Sequence, residues 1–317
     1  MRFIGKTNIK FIEKRRIWYA VSLIFILAGL ISLIFRGIPL GIDFLGGTEV
    51  VVRFEKPVSI GDVRSAIAQI GLAKSEIKTY GTHNEILIRT SEQMEGTKIG
   101  EMILSALQSK FRDNKVEVLN EEKVGPRIGA ELRRKAFYTV ILSLIVMLVY
   151  IGLRFKPIYG VGAVVALFHD VLITLGFCSI FSSVSYFNIE MNQSLLAAIL
   201  TLVGLSVNDT VVVFDRIREN LKLHKSMDFI SLVNKSINET LSRTIITSGT
   251  VIVVLIILLI VGSEITRGFA FALTIGMITG TYSSIYVASS LVVDITLSRQ
   301  KREEKKKLLK KQPVMTK

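Results

Sequence analysis

The chain has 317 residues, with 40 Lys or Arg against 26 Asp or Glu, a net charge of +14, and half of its residues hydrophobic. A mean hydropathy of +0.50 beside 21% charged residues means that apolar and charged residues are segregated along the chain, which excludes a disordered chain, a collagen-like chain and an ordinary soluble nucleic-acid binder. A single cysteine, Cys178, excludes a disulfide framework and a multi-cysteine metal site.

In chain order, residues 1–16 carry a net +5, and an apolar run then fills 17–35. It is longer than the apolar core of a cleavable signal peptide and continues into Arg36-Gly37-Ile38-Pro39 with no small-residue cleavage site, so it reads as an uncleaved helix. Five more apolar runs follow at about 136–153, 158–181, 194–214, 244–262 and 268–292. Each meets the roughly 20 residues that a helix needs to cross the hydrocarbon core. Between the first two runs lies the only large polar stretch. Its segment 37–125 carries a net charge of −2.

That stretch alternates in period. Residues 48–55 are β-rich, Ser59 is placed to cap a helix through Ile60, Val63, Ile67 and Ile70, and 75–80 and 85–90 read as strands around a turn at 81–84. A second helix fits 97–111 and a last strand 115–119. The order βαββαβ is that of a small α+β, ferredoxin-like domain. The glycines at 41–47 are followed by a strand and by no Gly-Lys-Ser/Thr, which argues against a phosphate loop. His83 falls in the turn and reads as a surface residue.

The basic flanks set the expected orientation. The N-terminal tail, Arg154 and Lys156, the lysines and arginines of 215–242, and the +7 of residues 299–317 all fall on one side of six spans, and that side is expected to be cytoplasmic. Arg127, Arg133, Arg134 and Lys135 break the pattern, but long translocated segments escape the charge rule. The expected division is a tail and first span at 1–36, an extracytoplasmic α+β domain at 37–127, a bundle at 128–297 with a cytoplasmic loop at about 215–242, and a basic cytoplasmic tail at 298–317. Within 222–241, Phe229, Ile230, Val233, Ile237 and Leu241 are spaced for an amphipathic helix on the inner membrane surface.

Ionisable groups inside the spans are functional candidates because burying them in lipid is costly. The fourth span contains Asn208-Asp209-Thr210, and the fifth begins near Arg243. Opposite chain directions bring Asp209 and Arg243 to similar depth, so they are expected to pair. His169 and Asp170 lie near the middle of the third span; as neighbours they point about 100° apart, and they are not expected to face one site together. Asp294, at the end of the sixth span, reads as a boundary residue. Gly276 and Gly280 form a Gly-x-x-x-Gly pattern that allows close helix packing without naming the partner. No metal site, cofactor site or nucleophile–base set stands out, so an enzyme is the least favoured class.

These motifs resemble the SecD/SecF protein-export family, of the resistance–nodulation–division superfamily. Gly41-Ile42-Asp43-Phe44-Leu45-Gly46-Gly47-Thr48 looks like its shared signature, and Val124-Gly125-Pro126 like its entry to the second helix. The runs 168–172, 207–220, 238–244 and 283–289 look like the SecF branch specifically. The resemblance covers about 1–295. It implies a six-span subunit in a bacterial inner membrane that pairs with SecD and works with the SecYEG channel, often with YajC, on a translocating preprotein. Membrane lipids are the other expected contact, and nucleic acid is not one. It further implies use of the proton-motive force, with Asp209 carrying the proton, Arg243 as its partner, Asp170 in a less settled role, and His169, Asn208 and Thr210 as polar support. The rival readings are a non-conducting scaffold that presents the outer domain, and a small-molecule exporter of the same superfamily.

Overall fold

The protein is described here by a computed structural model covering residues 7–92, 97–155, 157–187 and 189–311. The charges read at Arg2, Lys6 and Lys156, and the end of the basic tail, lie outside those residues. Helix α1 (Arg15–Phe35) ends just before a short helical turn, α2 (Ile42–Leu45). The sheet domain follows as β1 (Gly47–Phe54), α3 (Ile60–Ala68), β2 (Glu76–Tyr80), β3 (Thr82–Thr90), α4 (Lys98–Lys110) and β4 (Val116–Val124). The bundle then comprises α5 (Pro126–Arg154), α6 (Pro157–Phe181), α7 (Gln193–Leu223), α8 (Phe229–Val261), α9 (Glu264–Ser283) and α10 (Ser289–Lys311). A π-helical segment, Ser284–Ala288, joins α9 to α10 without breaking the rod. Among the described residues, six helical stretches are long and apolar enough to cross a membrane, the last made of α9, the π segment and α10 together.

Local chemistry sets the helix ends. The Ser59 side chain accepts from the Asp62 N–H at 3.1 Å and starts α3. Asn192 caps α7 through the Leu195 N–H at 2.9 Å, and Asp228 caps α8 through Ile230 and Ser231. Pro126 occupies the first turn of α5, where its missing N–H costs nothing.

The sheet runs β2-β3-β1-β4 with every neighbouring pair antiparallel. β1 and β2 therefore run parallel with β3 between them, the split βαβ arrangement. Val50, Val52, Ile86 and Ile88 point to one face and bury against Val63, Ile67, Ile99, Ile103 and Leu107 of the two helices. Two expected boundaries move. Gly81 alone turns the chain from β2 to β3, at φ +64°, where an L side chain is strained. β4 runs on to Val124, because it pairs with the whole length of β1.

The bundle has two apolar cores. One gathers Phe11, Ile12, Ile151, Tyr159, Leu167, Phe214, Ile217, Val233 and Val292, toward the end where α1 begins and α5 ends. The other gathers Cys178, Leu195, Leu202, Leu255, Phe271 and Met277, toward the sheet domain. The connection at 215–242 is mostly helical: α7 continues to Leu223, and the helix expected through Phe229, Val233, Ile237 and Leu241 is present as the start of α8, which runs unbroken into the fifth span. The apolar face of 229–241 does not lie on a membrane surface. It packs on Phe11, Ile12 and Ile217, and Asn234 and Asn238 accept from the backbone N–H groups of Ile12 and Ile9 at 3.0 and 2.9 Å.

Candidate functional site

Along α6 and α9 the two cores are separated by polar side chains. Asp170 stands at the centre of this layer and is fully buried. Its Oδ2 accepts from Ser206 Oγ of α7 at 2.6 Å and from Ser283 Oγ at the end of α9 at 2.8 Å. Its Oδ1 lies 2.8 Å from Nδ1 of His169. His169 Nε2 in turn lies 2.9 Å from both Ser22 Oγ of α1 and Tyr282 Oη. The Asp170–His169 pair thus gathers polar groups from α1, α7 and α9, and both oxygens of the buried carboxylate have partners. The expectation that His169 and Asp170 could not share a site is corrected: the side chains bend toward each other across the helix surface, and both belong to one network.

The glycine pattern belongs to the same place. A Cβ on Gly276 would stand 2.5 Å from Leu202, and one on Gly280 would stand 3.1 Å from Ser206 and 3.5 Å from Asp170 Oδ2. The missing side chains let α9 close on α7 and bring Ser283 within reach of the carboxylate. The π segment begins at the next residue. Single π turns inside helices recur at functional sites, and here Ser289 Oγ donates to the Ser284 carbonyl at 2.8 Å across it.

Asp209 forms a second, separate site three residues along α7 from Ser206. It is buried, and its Oδ2 accepts from Ser248 Oγ of α8 at 2.6 Å. Thr210 is buried beside it, with its hydroxyl turned back to the Ser206 carbonyl at 3.2 Å. Arg243 lies five residues before Ser248 on α8. It is close enough to act on Asp209 electrostatically, yet among the described residues it makes no ion pair, and its side chain is exposed. Chain direction therefore brings α8 to Asp209 as expected, but the bonded partner is Ser248. Asn208 is exposed on the neighbouring face of α7. Asp294 is more than a boundary residue: it accepts from Arg15 Nε at 2.9 Å and from Tyr19 Oη at 3.1 Å, tying α10 to α1. Sequence reading did not single out Ser22, Ser206, Ser248 or Tyr282. The signal available for Ser206 was its i, i+3, i+4 spacing with Asp209 and Thr210.

Comparison with known proteins gives concordant results. Residues 104–298 match the family described as protein export membrane protein SecD/SecF, C-terminal, and residues 31–58 match the SecD/SecF GG motif. A protein translocase subunit SecF from Rhodothermus marinus is 44% identical over 93% of this chain and 96% of its own length. One from Desulfurispirillum indicum is 43% identical over 90% of this chain and 91% of its own. Among solved structures, the translocon-associated membrane protein SecDF from Thermus thermophilus superposes with a TM-score of 0.80 at 36% identity, covering 92% of this chain. A SecDF structure in a super-membrane-facing form gives 0.71 at 34% identity over 96% of this chain. This chain spans 39% and 41% of the length of those two SecDF chains.

Proposed function

The chain belongs to the SecD/SecF family of protein-export membrane proteins, and from that premise we propose that it acts as a SecF-type subunit, paired with SecD, that converts the proton-motive force into outward movement of a preprotein. Asp209 carries the proton. The observation behind this reading is the pairing of a buried carboxylate with a neutral hydroxyl beside a cation: Asp209 bonds to Ser248, and Arg243, on the same helix as Ser248, makes no ion pair among the described residues. A carboxylate charge in that position favours the approach of Arg243, and a neutral carboxyl releases it, so the two protonation states favour different packings of α7 against α8. A transmembrane potential contributes about 2.3 kcal/mol per charge per 100 mV, enough to bias such a two-state equilibrium. The fully buried Asp170 network, which holds α7 through Ser206 one turn from Asp209, is the pivot about which α7 tilts.

The partner surface follows from the same helices. Asn208, Arg243, Thr247 and Thr250 are exposed within the spans, and Gly204 and Gly249 face open space. Lipid is a poor neighbour for polar groups and small residues, whereas another helix bundle is a good one. We assign this face to SecD. The membrane is the bacterial inner membrane, with both termini cytoplasmic, the sheet domain outside, and SecYEG and YajC as the wider assembly. The basic end of α10 then lies in the cytoplasm near anionic lipid.

Reconstitution with SecD in proteoliposomes that export a preprotein tests the role of Asp209. Asp209→Asn is expected to assemble normally and to lose the stimulation that an imposed proton gradient gives, leaving gradient-independent export in place. Full stimulation in a normally assembled variant contradicts the proposal and favours a passive scaffold.

A further inference from the structure

The connection between α6 and α7 is poor in charge, with Glu190 as the one charged residue in the sequence from 182 to 193. In the fold that residue is buried and fully engaged. Glu190 Oε2 accepts from Arg89 of β3 at 2.6 Å, and its Oε1 pairs with Lys78 of β2. Arg89 is itself buried and also binds Glu49 of β1 at 2.6 Å and Glu76 of β2 at 3.1 Å. Register explains the convergence: Arg89 stands opposite Glu49 on one side and Glu76 on the other. All three side chains point away from the face that packs on α3 and α4, because residues one apart on a strand alternate in direction.

The backbone beside Glu190 is bound as well. The Met191 N–H donates to the Pro39 carbonyl at 2.7 Å, the Gly41 N–H donates to the Met191 carbonyl at 3.0 Å, and the Gln193 N–H donates to Asp43 Oδ2 at 2.9 Å. A Cβ on Gly41 would come within 3.5 Å of Glu190 Oε2 and 3.1 Å of the Asn192 Cβ, so the two segments pack closely here. The sheet domain therefore rests on two supports. The first is its covalent root, where Gly46 and Gly129 let α2 and the start of α5 touch backbone to backbone. The second is this short connection, held to the sheet by a buried ion network.

We propose that Glu190 is a positioning residue that couples the membrane spans to the sheet domain, with its salt bridges to Arg89 and Lys78 acting as a fixed strut. The connection it sits on joins α6, which carries Asp170, to α7, which carries Asp209. A shift of α7 relative to α6 must displace residues 189–193, and the strut passes that displacement to β2 and β3 rather than losing it in a slack loop. A buried ion network suits the task because it is directional and breaks sharply when one charge is removed. The functional half of the inference rests on the proton-driven reading above; the mechanical half does not.

The test uses the full chain, assembled with SecD in lipid, and reads two quantities. Hydrogen exchange at the Gly41, Met191 and Gln193 amides reports the strut, and exchange at Val50 and Val52 reports the sheet core. Glu190→Gln is expected to raise exchange roughly tenfold at the first three amides and leave the core amides unchanged. It is also expected to lower gradient-driven export without affecting gradient-independent export, and Glu190→Asp is expected to restore most of both. Replacing Arg89 and Glu190 together by cysteine and joining them with a short bismaleimide is expected to return gradient-driven export that the unlinked variant lacks. Unchanged exchange in Glu190→Gln overturns the strut. Loosened exchange with unimpaired gradient-driven export, or export stopped by the cross-link, overturns the coupling. Asp209→Asn is run alongside: if it exports like the parent, the proton-driven reading fails and the coupling claim fails with it, while the exchange result is unaffected.

Discussion

Two carboxylates lie in the middle of the bundle, and their surroundings give them different work. Asp170 accepts from Ser206 and Ser283, is joined by His169, and has no exposed surface. Asp209 holds a single hydroxyl, Ser248, with a cation near but unbound. The first is over-determined and the second is poised, so they are expected to respond unequally to loss of a donor. Ser206→Ala is expected to cost about 1 kcal/mol of stability, the usual worth of a hydrogen bond between membrane helices, seen as a modest fall in the thermal midpoint in mild detergent with gradient-driven export retained. A collapse of export in that variant without loss of stability would transfer the proton-carrying role to Asp170. Both aspartates were legible in the sequence because a charge inside an apolar run stands out. Their serine partners were not, since a lone serine in a membrane helix usually bonds its own backbone, as Ser284 does with the Thr281 carbonyl at 3.0 Å.

Among the elements, close helix crossings set the positions of the polar layer. Gly29 of α1 and Gly176 of α6 meet so closely that a Cβ on either would stand 2.8 or 2.6 Å from the other's Cα. This crossing, with the Ser32–Ser179 hydrogen bond at 2.8 Å beside it, lies on the sheet-domain side of the layer and keeps Ser22 within reach of His169. Gly29→Val is expected to force α1 away from α6, lower stability by about 1–3 kcal/mol and break the Ser22–His169 contact, read as a change in the histidine ring resonances and a lower thermal midpoint. An unchanged midpoint would mean that α1 is not seated as described. The spacing of glycines four apart in α9 was readable as close packing, but its partner was not: Leu202 and Ser206 of α7 are ordinary residues in an ordinary apolar run, and only tertiary contact distinguishes them. The same limit explains why the helix at 229–241 was readable but the surface under its apolar face was not. An amphipathic pattern requires an apolar surface to rest on, and here the first residues of the chain, Phe11 and Ile12, supply it in place of lipid.

At the scale of the molecule, the net charge of +14 resides almost wholly in the two terminal segments, +5 in residues 1–16 and +7 in residues 299–317, and the charges proposed to do the work are nearly absent from the total. Asp209 and Arg243 cancel. The Glu49, Glu76 and Glu190 cluster is set against Arg89 and Lys78 on the far side of the bundle. The fold class, the number of spans and the βαββαβ order were all readable from period and length, because each is a property of local sequence. The strut was not, because a single glutamate in a polar connection carries no pattern; its meaning depends on strands about a hundred residues earlier. The account stands on Asp209 as the proton carrier, and the most direct measurement is proton flux itself. With the SecD-paired protein in vesicles loaded with a pH-sensitive dye, export under an imposed gradient should be accompanied by proton entry that Asp209→Asn abolishes, while the complex stays assembled. Equal proton entry in the parent and in Asp209→Asn would contradict the account.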